Sequence, residues 1–342
     1  MIFYTGGKKL KVILQITLII SIAIAIGCEP VIRDTKIEAA KVDNELKPHW
    51  KPYTKSTPWT DLRQHTNFIQ PANALYPDGT ADGKYIVYAS TQTTKTPEIF
   101  IRSVEDTAPT QLTFSDANNL YPRISPNGSM IAFASDVEGD YNLYVIRRDN
   151  PTGVMQVTFS QNNDIAPSWS PDAKKLIYCS KSMVTENWGL MITDVATGSI
   201  TILGPGLYPD WSSQKDADKR SIVFQLPKRD EKGDSMIMVV RPDGTELVEV
   251  VVDNNLYLAN PMPRWSPDGK WIVFSAAQSS NKQSENLYLI RPNGTDLLRL
   301  TDEVGNQKQP SWCGSRILFV ANKNNVNNIY SIKPFPLGLL EE

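Results

Sequence analysis

Apolar residues in this chain come in short runs of about five or six, separated by clusters of Pro, Asp, Asn and Gly, from about residue 63 to residue 333. Residues 263–275, P-R-W-S-P-D-G-K-W-I-V-F-S, show the unit most clearly. In the triplet Pro267, Asp268, Gly269, proline presets φ, aspartate bonds its own backbone and glycine takes φ > 0, which makes a turn. The flanking runs are rich in Trp, Ile, Val and Phe and suit a pleated, buried surface. A third run at 286–291 and a fourth ending at Thr301 complete four antiparallel strands. The same pattern predicts second strands at 85–90, 130–135, 176–180, 221–225, 271–275 and 316–320. Third strands are expected at 98–102, 142–147, 188–193, 236–241, 286–291 and 328–332. Both alternating faces of these runs are apolar, as in a sheet sandwiched between neighbours rather than a one-sided sheet.

The inner-strand prolines are Pro77, Pro122, Pro167, Pro209, Pro263 and Pro310, spaced by 45, 45, 42, 54 and 47 residues, so there are six units. Two residues after the proline stand Ile124, Trp169, Trp211, Trp265 and Trp312 in units two to six, positions suited to packing between units. Outer strands are expected at 111–114, 156–159, 199–202, 247–251 and 298–301, and none follows in unit six. Upstream of unit one, Arg63, Gln64, His65 and Thr66 take the register of 109–113. An N-terminal strand is therefore expected to complete the last sheet and close the ring, leaving no open gap. Four-stranded repeats of this period predict an all-β fold: a six-bladed β-propeller of antiparallel blades.

The WD dipeptide and the Gly-Gly of kelch repeats are absent. The S-P-[DN]-[GA] turns at 125–128, 170–173 and 266–269 instead resemble the PD40 repeats of the TolB-like propeller family, over about residues 63–333. The turn triplet is lost in unit four, at 213–218, and in unit six, at Cys313-Gly314. The resemblance implies an interaction hub of the Tol-Pal type, contacting a peptidoglycan-associated lipoprotein during envelope maintenance. This chain has no room for the separate N-terminal α/β domain of that family, and it carries a lipid signal where the family protein is soluble in the periplasm.

Residues 1–27 read as an export signal: Lys8, Lys9 and Lys11 precede a 15-residue apolar run, 12–26. At ~1.5 Å per residue the run falls short of a ~30 Å bilayer core. The small residues before Cys28 resemble a lipobox, which implies lipidation of Cys28 and a membrane anchor. Residues 28–61 then form a tether, 62–334 the propeller and 335–342 a C-terminal tail. Cys179 and Cys313 lie three units apart, on opposite sides of a six-membered ring, so no disulfide is expected between them. Net charge is −2, and −5 without the three leader lysines, which leaves no nucleic-acid footprint.

Catalytic candidates are few. The two histidines, His49 and His65, build neither a triad nor a multi-histidine metal site, and H-E-x-x-H, G-x-S-x-G and P-loop signatures are absent. Asp136, Glu138 and Asp140, and again Asp230, Glu231 and Asp234, could chelate Ca²⁺, but solvated loops need no metal and no cofactor is expected. The links before each inner strand should gather at one channel mouth and offer Asn118, Asn119, Asn163, Asp164, Asn255, Asn260 and Gln307 to a partner. Asn and Asp also simply make turns. Between the inner-strand proline and the Trp position stand Asp78, Arg123, Ser168, Asp210, Arg264 and Ser311, which should look into the channel. Arg123, Asp210 and Arg264 could bind a ligand there or pair with one another. The reading that follows is a monomeric, noncatalytic, lipid-anchored scaffold, exported to the periplasmic face of either membrane or to the cell surface. The alternative is a propeller acting on envelope or extracellular polysaccharide.

Overall fold

The computed structural model describes residues 59–334, apart from 70, 107, 215–220, 229–233, 251, 253–254 and 303–305. Among the described residues every regular element is a strand, and the strands form six sheets. Blade one holds β2 (Ala74–Gly79), β3 (Tyr85–Ser90), β4 (Glu98–Ser103) and β5 (Thr110–Gln111). Blade two holds β6 (Asn119–Ile124), β7 (Met130–Ser135), β8 (Asn142–Arg147) and β9 (Val154–Gln156). Blade three holds β10 (Asn163–Trp169), β11 (Lys175–Lys181), β12 (Trp188–Asp194) and β13 (Ile200–Pro205). Blade four holds β14 (Leu207–Trp211), β15 (Ile222–Pro227), β16 (Ser235–Val240) and β17 (Val248–Val250). In blade five the inner strand is split into β18 (Leu256–Tyr257) and β19 (Arg264–Trp265), both paired with β20 (Ile272–Gln278), and β21 (Asn281–Ile290) and β22 (Leu298–Arg299) follow. Blade six holds β23 (Gln307–Cys313), β24 (Arg316–Lys323) and β25 (Val326–Pro334), with β1 (Trp59–Gln64) as its outer strand.

Each blade repeats one cross-strand pair between its second and third strands. Tyr88 faces Phe100, Phe133 faces Tyr144, Phe274 faces Tyr288 and Phe319 faces Tyr330, with ring centroids 5.6–5.9 Å apart. In blades three and four the partners are Tyr178 with Met191 and Phe224 with Met238. Such pairs stabilise a sheet beyond the area they bury. The apolar residues of adjacent blades then merge into continuous layers between sheets, and Trp169, Trp211, Trp265 and Trp312 are all buried in or beside them.

The closing strand repeats the outer-strand chemistry of the other blades. Thr113, Thr158 and Thr301 accept through Oγ1 from the backbone N–H of Ile99, Leu143 and Leu287, and Thr66 accepts in the same way from Ile329. Gln64 Nε2 donates to the Thr66 carbonyl at 2.8 Å, as Gln111 does to that of Thr113. His65 thus fills the slot that Leu112, Val157 and Leu300 fill elsewhere, and its N–H donates to the Ile329 carbonyl at 2.8 Å. Ring closure starts three residues before the expected boundary at 62: Trp59, assigned from sequence to the tether, pairs with Pro334 and packs in the layer between blades five and six. Cys28 and the export signal lie outside the described residues. Cys179 and Cys313 are both free and buried.

The outer strands of blades one, two and five end earlier than their apolar runs suggest, whereas β13 of blade three runs on to Pro205. The threonine side chain takes over the bond to the third strand and peels the backbone away, so Phe114 and Phe159 emerge 78% exposed. At the seam between blades six and one, Gly79 occupies the position held elsewhere by Ile or Trp. A Cβ there would lie 2.3 Å from Cys313 Cβ. Gly79→Ala is expected to destabilise the protein by about 1–3 kcal/mol, read as a lower urea midpoint at unchanged slope.

Candidate functional site

All six inner strands carry the same irregularity, which aims side chains at the ring axis. The residue before each inner-strand proline has a left-handed backbone: Tyr76 (φ 51), Tyr121 (φ 55), Ala166 (φ 53), Tyr208 (φ 47), Met262 (φ 44) and Gln309 (φ 55). Proline has no N–H to give a ladder, so a bulge there sacrifices no bond. A left-handed residue before proline is nevertheless costly and persists only where its surroundings hold it. Here Gln309 Oε1 accepts from Tyr76 N at 2.8 Å and Cys179 Sγ from Tyr208 N at 2.9 Å. The bulges bring three tyrosines together near the link end of the channel. The Tyr76 and Tyr121 rings lie 4.1 Å apart, Tyr121 and Tyr208 6.2 Å apart, and Tyr76 hydroxyl donates to Tyr121 hydroxyl at 3.3 Å. Burial raises the pKa of all three phenols, that of Tyr208 to about 12.

Below the tyrosines the polar inner-strand residues form a belt across the channel. Arg123 Nη1 donates to Asp78 at 2.9 Å and Nη2 to Asp210 at 3.0 Å, and its Nε reaches the Pro167 carbonyl at 3.3 Å. Asp210 also accepts from Ser168 Oγ at 3.1 Å, Trp265 N at 2.9 Å and Arg264 Nη1 at 3.3 Å. Asp78 accepts a further bond from Ile124 N at 2.9 Å. Two arginines face two aspartates, so the belt is formally neutral. Loss of hydration nonetheless dominates: burial raises both aspartate pKa values, Asp210 to about 6, against the pull of Arg123.

The belt brings Arg123, Asp210 and Arg264 together with Asp78 and Ser168, in the paired arrangement. The expected mouth residues divide. Asn255 and Asn260 are exposed at the link end, where Asn260 also hydrogen-bonds the Tyr208 hydroxyl. Asn118 and Asn163 are half-buried. Asn118 binds both oxygens of Asp136 at 2.6 Å, and Asn163 Oδ1 accepts from Tyr141 N at 3.2 Å. Asn119, Asp164 and Gln307 do not face the mouth as expected, being buried at the starts of β6, β10 and β23, where the links enter the inner strands. Asn119 Nδ2 bonds Glu98 and Ser115, Asp164 accepts from Ser160 and Ser180, and Gln307 accepts from Thr301. A link that folds inward buries backbone and side-chain polar groups, and these residues satisfy them. Of the acidic loops, Asp136 is engaged with Asn118, and Asp234 with Lys228, Ser235 and Leu258. Glu138 and Asp140 belong to the same blade-two turn as Asp136, whereas Asp230 and Glu231 lie outside the described residues. Among the described residues, no three His, Cys, Asp or Glu side chains gather.

Sequence reasoning missed the tyrosines and an apolar arc on the link face. Ile69 is 83% exposed, Phe114 and Phe159 78%, Val184 77%, Met183 57% and Val137 50%. They stand in the links into blades one, two and three and in the second-to-third-strand turns of blades two and three. Contacts of Asp136 with Asn118 and of Met183 with Asn162 and Asn163 place those turns beside the links. The repeated T-F-S after the outer strands and the Tyr-Pro dipeptides were the available signals.

A six-bladed ring of this repeat type, closed through its first strand, defines a propeller whose chemistry is presented at the two ends of a narrow channel. The chain belongs to the TolB β-propeller family, whose PD40 model matches residues 60–256. No curated protein matches it. A protein of Agrobacterium tumefaciens assigned as TolB has a similar fold, with a TM-score of 0.59 at 22% identity over 78% of this chain and 92% of that chain. An oligogalacturonate lyase in complex with manganese is similar at 0.57 and 14% identity, over 82% and 94%. The propeller domain of the Trilobed protease from Pyrococcus furiosus, described as having an open velcro topology, reaches 0.52 at 17% identity over 78% and 84%. At such identities the likeness is one of fold.

Proposed function

We propose that the protein is a noncatalytic binding module of the cell envelope that docks a protein partner on the link face of its propeller. The observation that carries this reading is the apolar arc over blades one to three, flanked on the same face by the polar β20–β21 turn of blade five and by Lys228 and Asp234 of blade four. Exposed apolar residues gathered on one face and rimmed by polar ones mark a protein contact surface. The belt supports the same reading, because Arg123, Asp78 and Asp210 are engaged with one another. Family membership agrees with a partner from the envelope, a peptidoglycan-associated lipoprotein being the candidate, while anchoring through Cys28 rests on the lipobox-like residues before it alone.

Photo-crosslinkers placed at Phe114, Phe159 and Met183 test the proposal in intact envelopes. Crosslinks from all three should converge on one envelope protein, and a crosslinker at Asp243, between the third and outer strands of blade four, should not reach it. Phe114→Asp with Phe159→Asp should weaken binding of that protein at least about a hundredfold, since a docking core loses about 2 kcal/mol or more per anchor. Degradation of an envelope polysaccharide by the purified protein, lost on substitution of Arg123, Asp210 and Arg264, would overturn the reading.

A further inference from the structure

The outer strands are the free edges of the six sheets, and in five blades the edge is blunted. In each blade one outer-strand residue stands opposite the ring or methionine of the repeated cross-strand pair. It is Gln64, Gln111, Gln156, Glu249 or Arg299 in five blades, and Ile202 in blade three. The three glutamines and the arginine fold back to donate to the carbonyl of the threonine two residues on. Polar and charged side chains on an edge discourage its pairing with another chain. Length adds to the contrast. β5, β9, β17 and β22 are only two or three residues long, and β1, with six, carries Asp61 and Arg63 and a register shift. β13 also has six residues, and the chain is uncharged from Ser199 to Gly206. Ile200 is 48% exposed and Ile202 53%. An exposed, uncharged, β-branched edge is a template for a further strand.

The backbone of β13 is free on its outer side. Asp194 N donates to the Ser199 carbonyl at 3.0 Å, which makes these two a hydrogen-bonded pair. Bonded and non-bonded pairs alternate along an antiparallel ladder. Thr201 therefore bonds Ile192, whereas Ile200 and Ile202 stand in non-bonded pairs with Thr193 and Met191. Their N–H and C=O groups point away from β12, and among the described residues none bonds them.

Ile200-Thr201-Ile202 reads the same in both directions. A two-fold axis through Thr201 brings Ile200 of one copy opposite Ile202 of a second, where the two exchange both backbone bonds, and the axis repeats the exchange on its other side. Thr201 then faces its own counterpart in a non-bonded pair. A two-fold contact demands such self-complementarity. Thr–Thr and β-branched cross-strand pairs favour it, and no charge on the strand opposes it.

We propose that the protein associates as a two-fold dimer by edge-to-edge antiparallel pairing of β13, which joins the four-stranded sheets of two third blades into one. This replaces the monomer expected from the sequence. The contact is one short strand per copy, in the weak class below ~1,200 Å² of buried surface, so association depends on concentration. β13 lies on the rim of the propeller rather than on the link face, and the dimer does not rest on the docking reading above.

The test is disulfide capture in the full-length protein. Thr201→Cys places the two sulfurs across a non-bonded pair, with Cα atoms about 4.5 Å apart and within reach of a disulfide. Ile200→Cys places them two residues out of step along the ladder, beyond about 7 Å, where no bridge closes. Under mild oxidation Thr201→Cys should give the linked dimer at least about tenfold faster than Ile200→Cys. Ile202→Gln copies Gln111 and Gln156 and so keeps the fold. In sedimentation velocity it should raise the concentration at which the wild-type chain dimerises by at least about tenfold. Equal capture of the two cysteine variants overturns the proposal. A wild-type chain that is still monomeric at about 0.5 mM does so too, and so does self-association that Ile202→Gln leaves unchanged.

Discussion

Arg123→Met is expected to destabilise the protein by about 3–5 kcal/mol at neutral pH, the largest effect of any single belt substitution. Arg123 reaches from blade two to Asp78 in blade one and to Asp210 in blade four, spanning the channel in front of Ser168. Its removal leaves Asp78 with no cation among its hydrogen-bond partners, while Asp210 keeps its bonds from Ser168 and Trp265 N but has only the long Arg264 contact to a cation. A buried pair contributes little net stability when intact, because desolvation consumes most of the Coulombic gain, but breaking it strands a charge. The loss should therefore shrink as pH falls. Asp78 and Asp210 already bind protons more readily in the folded than in the unfolded state, and without Arg123 that difference grows. Arg123→Met combined with Asp78→Asn should recover part of the loss, and a double-mutant cycle in urea, read by tryptophan fluorescence, measures the coupling. Full additivity of the two substitutions would show that the belt is not the clamp described here.

Acid should open the ring at its closing strand. His65 sits in an apolar slot where the other blades place Leu or Val, and burial, helped by Arg102, Arg316 and Arg63, lowers its pKa from 6.5 to about 4. Ser331 Oγ accepts from Arg316 Nε at 2.8 Å and lies 2.8 Å from His65 Nε2. With its own proton turned to Nε2 the hydroxyl would hold the neutral ring, whereas a protonated Nε2 would have to donate to an oxygen that already accepts from a guanidinium. Above about pH 6.5 the ring is neutral whether the chain is folded or not, and no stability is lost. Between about 6.5 and 4 the unfolded chain takes up a proton that the folded chain refuses, so stability falls as pH falls, by about 3 kcal/mol in total. Asp210 acts with the opposite sign over about the same range, since its raised pKa lets the folded state bind a proton first. The quantity to measure is therefore the difference between wild type and His65→Leu, which copies Leu112 and Leu300. The variant should gain on wild type as pH drops from about 6.5 to 4, and hydrogen exchange of β1 should lose its acid sensitivity. A constant difference across that range would show that His65 does not titrate on unfolding.

Much of this molecule was legible in the sequence because its determinants are local. A strand buried on both faces writes a continuous apolar run, a turn writes Pro-Asp-Gly, and a repeat writes both at a fixed period. The blade count, the order of strands and the identity of the closing strand follow from those signals, and Thr66 confirms the last by making the same bond as Thr113. The inner-strand position of Arg123, Asp210 and Arg264 was readable in the same way. Strand ends were less so, as at Phe114, because a threonine side chain replaced the ladder bond and the apolar run outlasted the strand.

Only the closed ring decided which of those residues meet. Arg123 and Asp210 are 87 residues apart, and Tyr76 and Gln309 are 233 apart. Neither contact leaves a periodicity in the chain, because each depends on the angle through which six sheets turn about one axis. The left-handed bulges that aim the tyrosines inward are held by such distant partners, so no local preference announces them. The same closure left Arg264 and Ser311 with buried atoms unpaired while satisfying their counterparts across the channel. That asymmetry arises where six unequal side chains share one axis, and it exists only once the ring is shut.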